Sequence, residues 1–259
     1  MEKEFKFKIV VPSFNSVDYI GKTLESIEMQ TDINYDVCVV DDGSTIPRQR
    51  DIITDFCRRN GWLHLFNEKN HGPLYSLVNG INQFAPSKFK CNDHDVIVVL
   101  DGDDWFAHKD VLAHIRKIYT ENDVYITWGQ CEIYPGGKTP MNYAQPVPEM
   151  VIKQKLYRDI PFVFWIGTFK YYLWRNIEDK DLRDVDGEYF KLMKDKATLF
   201  PMLEMAGERI YFINETTYIY NLNNPLNEYK GTRPEEHVRV DEEIRKRRRY
   251  STLPPLKND

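Results

Sequence analysis

Three polar clusters carry residue types that could do chemistry. The sharpest is Asp101-Gly-Asp-Asp-Trp105, which puts Asp101, Asp103 and Asp104 within four residues. Carboxylates this close repel one another, which raises their pKa values and costs stability unless a cation sits among them. Hard oxygen ligands of this kind suit Mg2+ or Mn2+, ions that bridge a protein carboxylate and a substrate diphosphate. Gly102 lets a ligand approach the backbone closely. The same residues also read as an Asp-rich turn capping the helix that follows. The other two clusters are Pro12-Ser-Phe-Asn15 and Asp41-Asp-Gly-Ser-Thr45.

Each cluster ends an apolar run. Phe7 to Val11, Tyr35 to Val40 and Val96 to Leu100 read as buried strands, and Trp62 to Phe66 as another. Between them, Ile20, Leu24 and Ile27, then Ile52, Ile53 and Phe56, then Leu74, Leu77, Val78 and Ile81 recur at helical spacing. Val111, Leu112, Ile115 and Ile118 predict one more helix, and Val124 to Trp128 one more strand. Strand and helix alternating in this way predict an α/β fold, a mostly parallel sheet with helices on both faces. Ligands of open α/β sheets bind beyond the carboxyl ends of the strands, where all three clusters fall. Near residue 132 the alternation stops in a Pro- and Gly-rich stretch. Beyond it the pattern predicts a helix around Glu188 to Met205, two short strands near Ile210 and Tyr218, and a charged C-terminal helix.

Composition narrows the function classes. The chain has 259 residues, 42% hydrophobic and 14% aromatic, enough for one sizeable core. A net charge of -5 argues against a nucleic-acid partner, because no overall field attracts phosphate backbones. Cys38, Cys57, Cys91 and Cys131 form no Cys-x-x-Cys pair, which argues against a zinc knuckle or disulfide scaffold. No apolar stretch approaches the ~18 residues of a membrane span. The charged, alternating N-terminus is unlike a signal peptide. A reducing cytoplasm is the expected location.

Taken together, Ile9-Val-Val-Pro-Ser-Phe-Asn15, Val39-Val-Asp-Asp-Gly-Ser-Thr45 and Val99-Leu-Asp-Gly-Asp-Asp-Trp105 resemble, in order and separation, the signatures of family 2 glycosyltransferases. The resemblance covers about residues 5 to 130 and implies the GT-A fold in a single domain. Residues 1–131 would form its nucleotide-sugar-binding half, 132–233 its less regular acceptor and catalytic half, and 234–259 a charged helix and tail. It implies donor contacts from Pro12, Phe14, Asn15, Asp42, Asp101, Gly102 and Asp103, and a Mn2+ or Mg2+ held by Asp101 and Asp103, with Asp104 able to join. The donor implied is a nucleotide-diphosphate sugar, a UDP-sugar first, and the acceptor a hydroxyl of a glycan, lipid or protein. One departure stands out: where the family often carries an Arg after Asn70-His-Gly72, this chain has Leu77. The basic contact is then missing or comes from elsewhere, Lys69 being one source.

An inverting transfer of this type needs a carboxylate to take the acceptor proton. Asp195, in Met193-Lys-Asp-Lys-Ala197, is placed like the family's base, with Glu188 and Asp186 as competitors. Ile160 to Thr168 matches the acceptor side of the cleft, with Trp165, Gly167 and Thr168 as its candidates; a core strand is the alternative. The Asn-rich run from Tyr218 to Pro225 offers hydrogen bonds to sugar hydroxyls. His237 is a candidate third metal ligand or a surface residue. Arg245-Lys-Arg-Arg-Arg249 is either a contact for anionic lipid at a membrane surface or a solvated helix end complementing the dipole. Three rival readings share the acidic strand end. A phosphatase with Asp101 as nucleophile would want the motif on its first strand. A sugar nucleotidyltransferase would want a Gly- and Arg/Lys-rich loop where Pro12 to Asn15 stand. A non-catalytic nucleotide-sugar-binding module would have no need of the Asp101/Asp103 pair.

Overall fold

The structure is a computed structural model describing residues 4–84, 89–137, 144–160, 167–226 and 234–257. Its first half follows the apolar runs. Strands β1 (Phe7–Ser13), β2 (Tyr35–Asp41), β3 (Leu63–Phe66) and β4 (Val96–Val99) lie parallel in the order β3-β2-β1-β4. All seven residues of β1 are buried, because helices cover both faces. Period-two alternation sorts the side chains. Val10 and Val40 pack with Leu74, Leu77 and Ile81 of α3 (Pro73–Phe84). Ile9, Val11 and Val39 pack on the other face with α1 (Ile20–Glu28), α2 (Pro47–Asn60) and α4 (Val111–Glu121). Close seating of α3 depends on Gly80: a Cβ there would meet Val10 Cγ1 at 2.5 Å and Val40 Cγ2 at 3.1 Å. Cys38, Cys57, Cys91 and Cys131 are all buried free thiols, pushed by desolvation to about 12.

The second half extends the same sheet. Strands β5 (Trp105–Phe106), β6 (Ile126–Tyr134), β7 (Thr168–Lys170) and β8 (Ile210–Asn221) complete the order β3-β2-β1-β4-β7-β6-β8-β5. β7 runs antiparallel to β4 and β6, β8 parallel to β6, and β5 antiparallel to β8. Here the elements depart from expectation. The two short strands expected near Ile210 and Tyr218 are one twelve-residue strand. Its polar middle hid the continuity. The register jumps from Ile213 opposite Gly129 to Thr216 opposite Gln130, so Asn214 and Glu215 fall in the irregularity.

The helix expected from Glu188 starts later, as α7 (Lys194–Ala206), preceded by α5 (Glu149–Gln154) and α6 (Tyr171–Trp174). Residues 184–188 form a turn instead, in which Asp184 Oδ1 accepts from the backbone of Asp186 and Glu188. Met193, at φ 58, then redirects the chain into α7. Helix α8 (Pro234–Lys246) is fastened to α7 through a buried ion pair. Arg158 Nε and Nη2 hold the Glu204 carboxylate at 2.6 and 3.0 Å, while Nη1 donates to the Ile244 carbonyl at 2.8 Å. The tail runs on over the core, with Tyr250 N donating to Glu204 Oε2 and Leu253 N to the Met205 carbonyl.

Candidate functional site

The strand ends converge on a cleft of about 730 Å3 whose floor is the three polar clusters. The first two are locked by hydrogen bonds between loops. Gln49 Nε2 donates to Ser13 Oγ at 2.9 Å and to Asp41 Oδ1 at 2.8 Å, and Gln49 Oε1 accepts from Ser16 N at 2.6 Å. Arg50 closes the other side of Asp41 at 2.9 Å, so this carboxylate is part of the scaffold. Asp42 is buried yet lines the cleft. It accepts from Asn67 Nδ2 at 2.7 Å, from His71 N at 3.1 Å and from Gly72 N at 2.8 Å. Pro12 and Phe14 also line the cleft. Asn15 does not follow them. Its Oδ1 accepts from Thr45 N at 2.8 Å, which holds the 44–45 turn against the β1 end.

The third cluster is fixed just as firmly. Gly102 N donates to the Pro12 carbonyl at 2.8 Å, and a Cβ on Gly102 would meet Ser13 Cβ at 2.6 Å. Only a glycine lets the acidic loop lie this close to β1. Asp101 is 40% exposed and its Oδ1 takes the Lys194 ammonium. Asp103 accepts from Asn224 Nδ2 at 2.7 Å. Burial, then the charge of Asp101, raises the Asp103 pKa, and the Asn224 bond only partly offsets this. Asp104 behaves differently from the expected extra metal ligand. It is wholly buried, with Tyr218 O–H on one oxygen and Asn221 N at 2.7 Å on the other. Desolvation, then the charges of Asp103 and Asp101, holds its pKa well above the ordinary carboxylate value. Both oxygens are spent on β8, so Asp104 anchors the loop. Among the described residues, no group of three or more His, Cys, Asp or Glu side chains could hold a metal ion.

The facing wall comes from the second half. The first turn of α7 brings Lys194 and an exposed Asp195 to the cleft, and Lys196 follows. From α8, Asp241 and Arg245 line the same space; Asp241 accepts from Lys196 at 2.6 Å and from Arg245 at 2.8 Å. Asp186 and Glu188, in the turn before α7, are not among the lining residues. Gly167 lines the cleft, whereas Thr168 is buried in the sheet, where its Oγ1 meets Thr127 Oγ1 at 2.7 Å and Tyr119 O–H at 3.0 Å. Trp165 lies outside the described residues. Leu77 is buried, and Lys69 is exposed away from the lining set; the basic residues that do line the cleft are Lys191, Lys194, Lys196 and Arg245. His237 sits one turn before Asp241 on α8 without lining the cleft.

The basic run is engaged within the chain: Arg245 with Asp241, Lys246 with Glu242, Arg247 with Glu243, Arg248 with Glu178 and Arg249 with Asp159. Sequence reasoning missed Lys194, Asp241 and Arg245 as cleft residues, while Asn224 lies in the Asn-rich run it had singled out. The Asn-rich run was the one available signal, and its Asn221 and Asn224 turn to carboxylates of the acidic loop.

Comparisons with known proteins bear on the family and the fold. The family model described as Glycosyl transferase family 2 matches residues 8–177. An uncharacterized glycosyltransferase of Rickettsia bellii is 27% identical over 125 residues, which is 48% of this chain and 16% of that protein. The matched segment therefore spans under a fifth of that relative's length. Among solved structures, S. aureus TarS 1-349 in complex with UDP-GlcNAc superposes with a TM-score of 0.62 at 20% identity, over 91% of this chain and 64% of that one. The mannosyltransferase PcManGT from Pyrobaculum calidifontis, in complex with GDP-Man and Mn2+, gives a TM-score of 0.54 at 17% identity, over 84% and 57%.

Proposed function

The chain belongs to glycosyl transferase family 2 and has the GT-A fold, and on that premise we propose that it moves a sugar from a nucleotide-diphosphate sugar to an acceptor hydroxyl with inversion. The observation that carries this reading is that Asp101, Asp103 and Asp195, from opposite halves of the chain, line one cleft at the strand ends. In this reading the described chain acts as a single domain. Residues 1–131 hold the donor, residues 132–233 face the acceptor, and residues 234–259 brace the cleft through α8. Pro12, Phe14 and Asp42 contact the nucleoside, with the loop 67–72 holding Asp42 in place. A UDP-sugar is the first donor to test, and glycan, lipid and protein hydroxyls are the acceptors. The four buried thiols suit a reducing compartment such as the cytoplasm.

Asp195 takes the proton from the acceptor hydroxyl as its oxygen attacks the anomeric carbon on the face opposite the diphosphate. The bond from that carbon to the diphosphate oxygen breaks, and the nucleoside diphosphate leaves with the electron pair. Exposure suits Asp195 to this work, since an acceptor has to reach it. Asp101 and Asp103 fit a Mn2+ or Mg2+: each keeps one carboxylate oxygen without a side-chain partner among the described residues. Such an ion supplies positive charge against the leaving diphosphate. Asp104 is left out of the set because burial and its two bonds to β8 occupy it. The test is incubation with UDP-Glc, UDP-GlcNAc and GDP-Man, following nucleoside diphosphate release and the anomeric configuration of the product by NMR. Release with an inverted product supports the reading. Release from none of them, with or without added acceptors, contradicts it.

A further inference from the structure

Lys194 stands where the acidic loop meets α7. Its ammonium bonds Asp101 Oδ1, its side chain is only 7% exposed, and it nevertheless lines the cleft. The placement is built into the backbone. Met193, in the left-handed region, turns the chain so that α7 opens on Lys194, and Thr198 Oγ1 then donates to the Lys194 carbonyl at 3.0 Å. Two other cations of this wall are committed elsewhere: Lys196 and Arg245 both pair with Asp241 on α8. Within the acidic loop, Asp104 is satisfied by Tyr218 and Asn221, and Asp103 takes a neutral amide from Asn224. Among the described residues, the ion pair made with this loop is that of Lys194. An ammonium carries three donors and can hold a carboxylate and a phosphate oxygen together.

We propose that Lys194 is a donor-binding residue, its ammonium contacting the diphosphate beside Asp101, so that a nucleoside diphosphate keeps affinity for the cleft after divalent metal is removed. This rests on the reading of the cleft as the donor site. The same bond fixes the first turn of α7, and with it the position of the adjacent Asp195.

The experiment is calorimetric titration of the chain with UDP, GDP, UMP and GMP, in EDTA and again in Mn2+. It is run on the natural protein, Lys194→Met and Lys194→Arg, with thermal unfolding of each to report folding. The expected result is diphosphate binding in EDTA that Lys194→Met weakens by roughly tenfold, the size of one charge-assisted hydrogen bond. Monophosphate binding should change much less, and Lys194→Arg should restore most of the loss. Diphosphate binding that needs Mn2+ and is unaffected by Lys194→Met would overturn the proposal while leaving the donor-site reading intact. Equal losses for diphosphate and monophosphate would make Lys194 a structural residue and overturn it too. Failure of every nucleotide to bind, even with Mn2+, would remove the donor-site reading and this inference with it.

Discussion

The two walls of the cleft are held by different means. On the β1–β4 side, each functional loop is tied to the strand end beside it: Gln49 joins the β1 and β2 ends, and Asp42 is gripped by the loop that follows β3. On the α7–α8 side, the residues reach the cleft through contacts between distant segments. Lys194 meets Asp101 across 93 positions, and Asn224 meets Asp103 across 121. The wall proposed to hold the donor is thus a property of the sheet. The wall proposed to carry the base depends on where α7, α8 and the tail dock, and the buried pair of Arg158 with Glu204 joins them.

Substitutions would test how separate the two walls are. The largest effect is expected from Asp103→Ala on the donor wall, which should abolish transfer while circular dichroism stays native; retained activity would remove Asp103 from the site. Asp195→Asn on the opposite wall should lower kcat by ~10²–10⁴, the span of general base catalysis, and leave nucleotide binding nearly unchanged. Glu188→Gln and Asp186→Asn should stay close to the natural rate, because neither lines the cleft. If the loss followed Glu188 instead, the base would have to come from the 184–188 turn.

Stability should divide along the same line. Arg158→Ala leaves Glu204 buried without its partner, a change that typically costs ~3–5 kcal/mol. With ~2–4 °C of Tm for each kcal/mol in a chain of this size, a fall of roughly 10 °C is expected by calorimetry. A shift of a degree or less would mean that α7 and α8 dock without the pair. The smallest effect concerns Asp104. Its folded pKa lies above the unfolded one, so its protonated form favours the fold, and that contribution is lost as pH rises through the folded value. Asp104→Asn removes the buried charge. It should raise Tm by a few degrees at neutral pH, and the gain should shrink to nothing as pH falls toward the unfolded value of ~3.9.

The β1–β4 wall was legible because its signals are local. An apolar run such as Val37 to Val40 followed by Asp41-Asp-Gly identifies a buried strand and the loop beyond it without reference to the rest of the chain. The sheet's second half was less so. Asn214 and Glu215 interrupt the apolar pattern of β8 only because they fall at a register jump with β6, and nothing in β8 alone reveals that. Asp104 looked like its neighbours until Tyr218 and Asn221 were found on its two oxygens. Thr168 and Asn15 carry groups suited to binding, yet the one bonds Tyr119 and Thr127 and the other Thr45. Lys194 could not be singled out from Lys191 and Lys196, because its distinction lies in a contact with Asp101 on another element.

The central claim is that this cleft binds a nucleotide-diphosphate sugar, and the most direct measurement is thermal unfolding with UDP, GDP, dTDP and CMP, each with and without Mn2+. A ligand at about 100 times its dissociation constant adds ~2.7 kcal/mol, which for a chain of this size raises Tm by roughly 5–10 °C. Such a rise is expected with one nucleotide, UDP first, and its loss in Asp103→Ala. A Tm that no nucleotide moves, with or without metal, would contradict the claim.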